Sequence, residues 1–139
     1  MTALSLTVPG RPLPYARTRV DPRSGRHVIP KAQRAYRAHV ESCMRAAMLQ
    51  ARQREPMMGA LVMRLNVYVA DLNCGDASNL AKLQEDVAQK AGVFVDDVQI
   101  VDLIIHRHVD RKRPRVEVHV EQLGPIEDER IPPSKRRAT

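Results

Sequence analysis

Five acidic side chains, Asp76, Glu85, Asp86, Asp96 and Asp97, fall within residues 75–100 beside only two cations, Lys82 and Lys90. Carboxylates are the donors that a hard divalent cation such as Mg2+ prefers, and one or two suffice because the ion keeps several of its waters. Such an ion lowers the pKa of a bound water and neutralises charge on a phosphodiester, while a nearby ammonium steadies the phosphate or the leaving oxygen. Asp76, the pair Asp96-Asp97 and Lys82 have the right types for that chemistry. Each also has an ordinary reading. Asp76 or Ser78 suits a helix N-cap, Asp96-Asp97 an acidic turn, and Lys82 with Asp86 an i,i+4 ion pair contributing a few tenths of a kcal/mol. Spacing alone leaves both readings open.

The rest of the chain supplies what chemistry on a polyanion would need. The 139 residues carry a net charge of +7, distributed unevenly: residues 1–54 hold 11 Lys/Arg against 2 Asp/Glu, and residues 55–123 hold 8 against 11. A basic part that grips a backbone followed by an acidic part that holds a cation fits an enzyme acting on nucleic acid better than a simple cationic adhesive. One Phe, three Tyr and no Trp give little material for a base-stacking platform, so the grip is expected to be electrostatic. No apolar run approaches the roughly 20 residues of a membrane helix, and residues 1–9 lack the pattern of a signal peptide. The expectation is a cytoplasmic protein without membrane attachment, in which Cys43 and Cys74 stay reduced.

Periodicity places these residues on elements. Leu4, Leu6 and Val8 alternate as a first strand, closed by Pro9-Gly10. A loop rich in Arg and Pro leads to a short extended piece at 27–29. Between about Lys31 and Glu55, apolar residues from Tyr36 to Ala51 recur at three- and four-residue steps, which predicts a long amphipathic helix stopped by Pro56. Strict alternation from Leu61 to Val69 predicts a strand that delivers its end to the acidic segment. A short helix follows over about 79–91, with Leu80, Leu83 and Val87 inward and Gly92 as its stop. Residues 100–108 and 115–121 read as two strands, most simply a hairpin, which would set His106 and His108 beside His119 as a weak transition-metal candidate. If strands 61–70 and 100–108 are neighbours, the helix between them connects them and both acidic loops are expected to converge on one site. The fold class is α/β (α+β): one domain over 1–123 with a small mixed sheet and two helices, then a flexible basic tail over 124–139.

The run Asp76-Ala77-Ser78-Asn79-Leu80-Ala81-Lys82, followed by Asp86 and then Gly92-Val93-Phe94-Val95-Asp96-Asp97-Val98-Gln99-Ile100, resembles the RusA family of Holliday junction resolvases. The family pattern is D-x-D-N-L-x-K, a helix, and then G-x-x-x-D-D-x-Q-[IV]. The likeness reaches thinly to the first strand, to the start of the long helix and to the closing strands, covering roughly residues 4–122. It implies a small homodimeric enzyme, in the order β-α-β-α-β-β, that binds four-way junction DNA and with Mg2+ nicks two opposed strands symmetrically, in DNA recombination and repair. By position, Asp76 and Asp97 match acidic residues of the metal site and Lys82 matches the catalytic lysine. Ser78 departs from the pattern, which has a second aspartate there; its hydroxyl is a weaker, neutral ligand, and Asp86 or Asp96 are the candidates to compensate. The departure keeps a second reading in play, a junction-binding protein that lost metal competence, and the basic loop and tail keep a third, an RNA-binding module.

A homodimer is also expected because two symmetric nicks call for two active sites, and because the apolar face of a roughly 25-residue helix is large for so small a core. DNA affinity is expected to reside in Arg11, Arg17, Arg19, Arg23, Arg26, Lys31, Arg34 and Arg37. Replacing Arg17, Arg19 and Arg23 together by Ala should weaken junction binding and flatten its salt dependence by up to about three phosphate contacts, read as the slope of log affinity against log salt.

Overall fold

Leu61, Met63, Leu65, Val67 and Val69 are all at most 1% exposed, and the sheet is arranged around the strand that carries them. A computed structural model describes residues 3–16 and 19–123; Arg17 and the tail 124–139 lie outside the described residues. The chain runs through β1 (Ala3–Pro9), β2 (Arg19–Val20), β3 (His27–Val28), α1 (Lys31–Gln50), β4 (Leu61–Val69), α2 (Ala77–Ala91), a 3-10 turn (Asp97–Gln99), β5 (Ile100–Val109) and β6 (Arg115–Gln122). The main sheet has the order β1-β6-β4-β5, with β4 and β5 parallel and the other pairs antiparallel, while β2 and β3 form a separate ribbon. This is the mixed α/β domain with two helices that the periodicity indicates.

The expected hairpin between the last two strands does not form. β5 and β6 flank β4 on opposite sides, and residues 110–114 step across its end, where the Asp110 N–H donates to Val69 O at 2.9 Å. Two interstrand spacings are about 9.6 Å, a reach that five residues cover readily. The most apolar strand takes one of the two inner positions, where both its neighbours are strands. His119 is therefore separated from His106 and His108 by the width of β4. His119 meets Ser5 Oγ at 2.6 Å, and His108 stacks on Tyr68 with its Nε2 3.1 Å from Asn66 Oδ1. Among the described residues no group of three or more His, Cys, Asp or Glu is placed to hold a metal.

One face of the sheet is dry. Leu4 and Val8 of β1, Val116, Val118 and Val120 of β6 and the β4 residues meet Tyr36, Val40 and Met44 of α1 and Leu80, Leu83 and Val87 of α2. The apolar face of α1 is thus covered by its own chain and does not itself call for a partner. The helix also stops earlier than its apolar spacing suggests. Arg52 adopts φ 58, its N–H donates to Leu49 O, and the Gln53 N–H reaches back to Met48 O, a Schellman reversal. That turn buries Gln53, whose Nε2 donates to Glu55 O and Val93 O.

The approach to β5 depends on one buried amide. Gln99 is 0% exposed; its Oε1 accepts from the Val95 and Asp96 N–H groups at 2.8 and 3.0 Å, and its Nε2 donates to Met57 O and Gly59 O at 3.0 Å each. All four hydrogen-bonding positions of the side chain are used, joining the turn before β5 to the segment before β4. Gln99→Leu strands four backbone groups, and at about 1–3 kcal/mol per unpaired buried group with partial relaxation it should cost on the order of 3 kcal/mol, measured by urea unfolding.

Candidate active site

The candidate residues lie along α2, and the local sequence explains how. Asp76 is the N-cap: its Oδ1 accepts the Asn79 N–H at 2.8 Å and its Oδ2 accepts from Asn79 Nδ2 at 3.3 Å. Gly92 at φ 88 ends the helix. Asp96 then caps the 3-10 turn by accepting the Val98 N–H at 2.9 Å, and the Asp97 N–H donates to Gln89 Oε1 at 3.1 Å. The ordinary capping roles of Asp76 and Asp96 are therefore real, and their carboxylates are held in place by them.

The two acidic loops do not converge within one chain. Because β4 and β5 are parallel, α2 must run back along them, so the loop after β4 and the turn before β5 lie at opposite ends of the helix. From Asp76 to Gln89, which holds Asp97, the rise is about 20 Å at 1.5 Å per residue. One half of the candidate site is Asp76 and the exposed Ser78; the other gathers Glu85, Asp86, Asp96 and Asp97. Lys82 lies between them on the helix face shared by positions 78, 82 and 85. A single ion cannot be ligated by Asp76 and Asp97 of the same chain, so a magnesium site of the family type does not fit one chain alone.

The lower half is electrostatically crowded. Burial, then the hydrogen bond and charge of Asp96 and the charge of Asp86, push the Asp97 carboxyl above its ordinary range, while Lys82 pulls the other way. Glu85 is raised by burial first and then by Asp97 and Asp86, again opposed by Lys82. Carboxylates held together at such a cost to one another are a frequent mark of a functional centre. Glu85 has no counterpart in the sequence motif and was not among the expected site residues; its position three residues after Lys82 on the same helix face is the signal that could have found it.

The upper half is held by backbone acceptors. Arg107 Nη1 donates to Leu72 O and Gly75 O at 3.1 Å each, and Arg111 Nε donates to Ala70 O at 3.2 Å, fixing the loop that leads to Asp76. The basic loop packs on the same place. The Tyr15 N–H donates to Asn79 O at 2.8 Å, and the Lys82 Nζ stands 4.9 Å from the centre of the Tyr15 ring. Beyond it, the turn from β2 to β3 is organised by Asp21, which accepts from the Arg23 N–H and from Ser24 Oγ, leaving Arg19, Arg23 and Arg26 exposed. Arg11, Lys31 and Arg34 are exposed as well, and Arg37 is half-buried in a groove between α1 and α2 that also contains Arg34 and Lys90. Arg17, the remaining expected DNA contact, lies outside the described residues.

A cation-bearing loop folded onto a helix of carboxylates and a lysine is an arrangement suited to a phosphodiester backbone, and comparison with known proteins agrees. The family model for endodeoxyribonuclease RusA matches residues 9–121. The chain belongs to the RusA family. A crossover junction endodeoxyribonuclease RusA of Escherichia coli strain K12 is 30% identical over 124 residues, covering 89% of this chain and 98% of that protein. The enzyme of the same name from Enterobacteria phage 82 is 29% identical over 100 residues, covering 72% and 80% respectively. Membership makes the chain an endodeoxyribonuclease by family, a hydrolase of phosphodiester bonds. No helix among the described residues is long and apolar enough to cross a membrane.

The crowding of carboxylates at the lower end of α2 has a pH signature. Glu85 and Asp97 bind a proton more tightly folded than unfolded, so this contribution stabilises the fold fully below the ordinary carboxylate pKa of about 4 and is lost as pH rises through the raised folded value. Glu85→Gln and Asp97→Asn should therefore raise the melting temperature at pH 7, with the gain shrinking to nothing below about pH 4, as followed by thermal denaturation across pH.

Proposed function

We propose that this chain is a magnesium-dependent, structure-specific endodeoxyribonuclease that resolves Holliday junctions by paired symmetric nicks, acting in the cytoplasm as a homodimer in DNA recombination and repair. The observation that supports it best is the packing of the basic loop on the first turn of α2, with Tyr15 bonded to Asn79 and lying against Lys82. A duplex arm held by the exposed Arg19, Arg23, Arg26 and Arg34 then brings its backbone to the acidic face of the helix. Lys82, whose ammonium lies between the two acidic halves, meets the scissile phosphate and balances charge on the leaving oxygen. Asp76 and Asp97 hold the divalent ion, which when bound supplies an acidified water and neutralises phosphate charge.

The separation of the halves along α2 favours the dimer. Two chains related by a two-fold axis set Asp76 of one beside Asp97 of the other, so each of the two nicking centres draws on both copies. Ser78, where the family pattern has an aspartate, gives the second reading its one specific support: a junction-binding protein in which metal affinity has fallen too far for cleavage.

The test uses a synthetic four-way junction with magnesium. Asp76→Asn, Asp97→Asn and Lys82→Ala should each lower nicking by about 100-fold or more while junction affinity, which the cationic loop supplies, changes by no more than about twofold. Mixing Asp76→Asn with Asp97→Asn chains should restore a single nick per junction, since the mixed dimer contains one intact shared centre; no restoration means that each centre lies within one chain. Magnesium titrated into the protein by calorimetry should bind more tightly to Ser78→Asp than to the parent. A parent chain that binds junctions yet never nicks them would establish the non-catalytic reading instead.

A further inference from the structure

The groove between α1 and α2 has a volume of about 460 Å3 and is lined by Ile29, Ala38 and Val87 as well as by Arg34, Arg37 and Lys90. The acidic residue in its lining is already engaged: Glu41 Oε2 accepts from Arg45 Nε at 2.9 Å, and Glu41 Oε1 lies 3.7 Å from Lys90 Nζ. Among the described residues no carboxylate pairs with Arg34 or Arg37. A nucleic-acid backbone laid here would satisfy the cations and leave the apolar lining open to water. A peptide with acids between branched apolar side chains satisfies both. Such a peptide follows directly on the folded domain. Residues 124–139 lie outside the described residues and beyond positions 9–121 that the family model matches. They begin Gly124-Pro125-Ile126-Glu127-Asp128-Glu129-Arg130-Ile131, a run of acids that outnumbers Arg130, with Ile126 before it and Ile131 after. We infer that residues 126–131 dock in the groove between α1 and α2 of their own chain, acids on the cations and isoleucines on the apolar lining, and so compete with DNA for Arg34. The competition rests on the nuclease reading above, in which Arg34 helps to hold a duplex arm; the docking does not.

The point where the chain leaves the domain puts the groove within reach. The Leu123 N–H donates to Ala60 O at 2.7 Å, and the Met57 N–H donates to Val93 O at 2.9 Å, next to the Gly92 that ends α2. The exit is thus on the side of the α2 terminus that carries Lys90. At up to about 3.5 Å per residue, residues 124–131 extend about 28 Å, close to the roughly 30 Å that the 20 residues of α1 occupy. A tether of this length holds the segment at an effective concentration of about a millimolar. Docking with a dissociation constant of about 0.3 mM then leaves about a quarter of the chains open, which weakens apparent DNA affinity about fourfold. Arg34 and Lys90 are exposed, so the contact loosens as salt rises. The isoleucines supply the part of it that carries no charge.

Two measurements on the full-length chain test docking and competition separately. Carbodiimide coupling at low salt in a mixture of isotope-labelled and unlabelled chains, read by peptide mass spectrometry, should join Lys90 to Glu127, Asp128 or Glu129 within one chain. The yield should fall severalfold when Ile126→Ser and Ile131→Ser are combined. That variant changes no charge, yet it should bind duplex DNA about fourfold more tightly than the parent at low salt. With Arg34→Gln and Arg37→Gln added to both chains, the gain should vanish, because the segment then has lost its cationic hold. Coupling that is absent, or unchanged by the isoleucine substitutions, overturns the docking. Coupling found only between labelled and unlabelled chains overturns docking on the segment's own chain. A gain in duplex affinity that persists without Arg34 and Arg37 overturns the groove as its origin. Intact coupling with equal duplex affinity for parent and isoleucine variant overturns the competition alone. A parent chain that binds no duplex overturns the nuclease reading, and the coupling result still decides the docking.

Discussion

The parallel pairing of β4 with β5 is the constraint from which the rest of the molecule follows. Parallel neighbours cannot be joined by a tight turn, so the chain must cross back over the full length of the strands, and α2 makes that return. The helix is consequently both the cover over half of the core and the rod along which the acidic residues are distributed. Its apolar stripe is committed to β4 and α1. The opposite stripe carries the exposed Ser78 and Lys82 and the half-buried Glu85. Core packing and the exposed chemistry are two sides of one element, and neither can be rotated without the other.

At the ends of that rod, side chains bonded to backbone add rigidity to the apolar packing of Val93 and Phe94 at one end and Leu80 at the other. Gln99 joins two segments through four bonds at one end, and Arg107 with Arg111 grips three carbonyl groups at the other. Such contacts fix direction as well as distance. They keep the capping aspartates in place although the carboxylates of the lower half repel one another, a repulsion that a bound cation would relieve.

Periodicity in the sequence made much of this legible. The alternation of Leu61 to Val69 located the central strand, the three- and four-residue steps located both helices, and the Asp76 to Lys82 run located the start of the site. What remained hidden has physical reasons. The end of α1 is set by a left-handed Arg52, a conformation that side-chain type hardly signals. Strand order depends on which strand buries both its flanks, and alternation says nothing of neighbours, so β5 and β6 read as a hairpin. The distance between Asp76 and Asp97 depends on helix direction, which a linear motif does not carry. Gln99, Arg107 and Tyr15 act on backbone groups, and a hydrogen bond to a carbonyl leaves no pattern in residue types. Glu85 was visible only as one acid among several until its neighbours were placed around it.

Gly75 sits at φ 136, and a Cβ there would approach Pro14 Cβ and Cγ to 3.0 Å. At this point the basic loop and the acidic loop touch directly, backbone against pyrrolidine ring. The two segments are 61 positions apart in the chain, yet they share one small volume. Drift at either position is therefore bounded by the other. A lineage that acquires a side chain at position 75 must both strain that backbone and displace the ring at position 14, whereas a lineage that lengthens the basic loop retains freedom everywhere except at this contact. In related sequences, residues 14 and 75 should vary as a pair, and loop-length changes should accumulate on the far side of Tyr15.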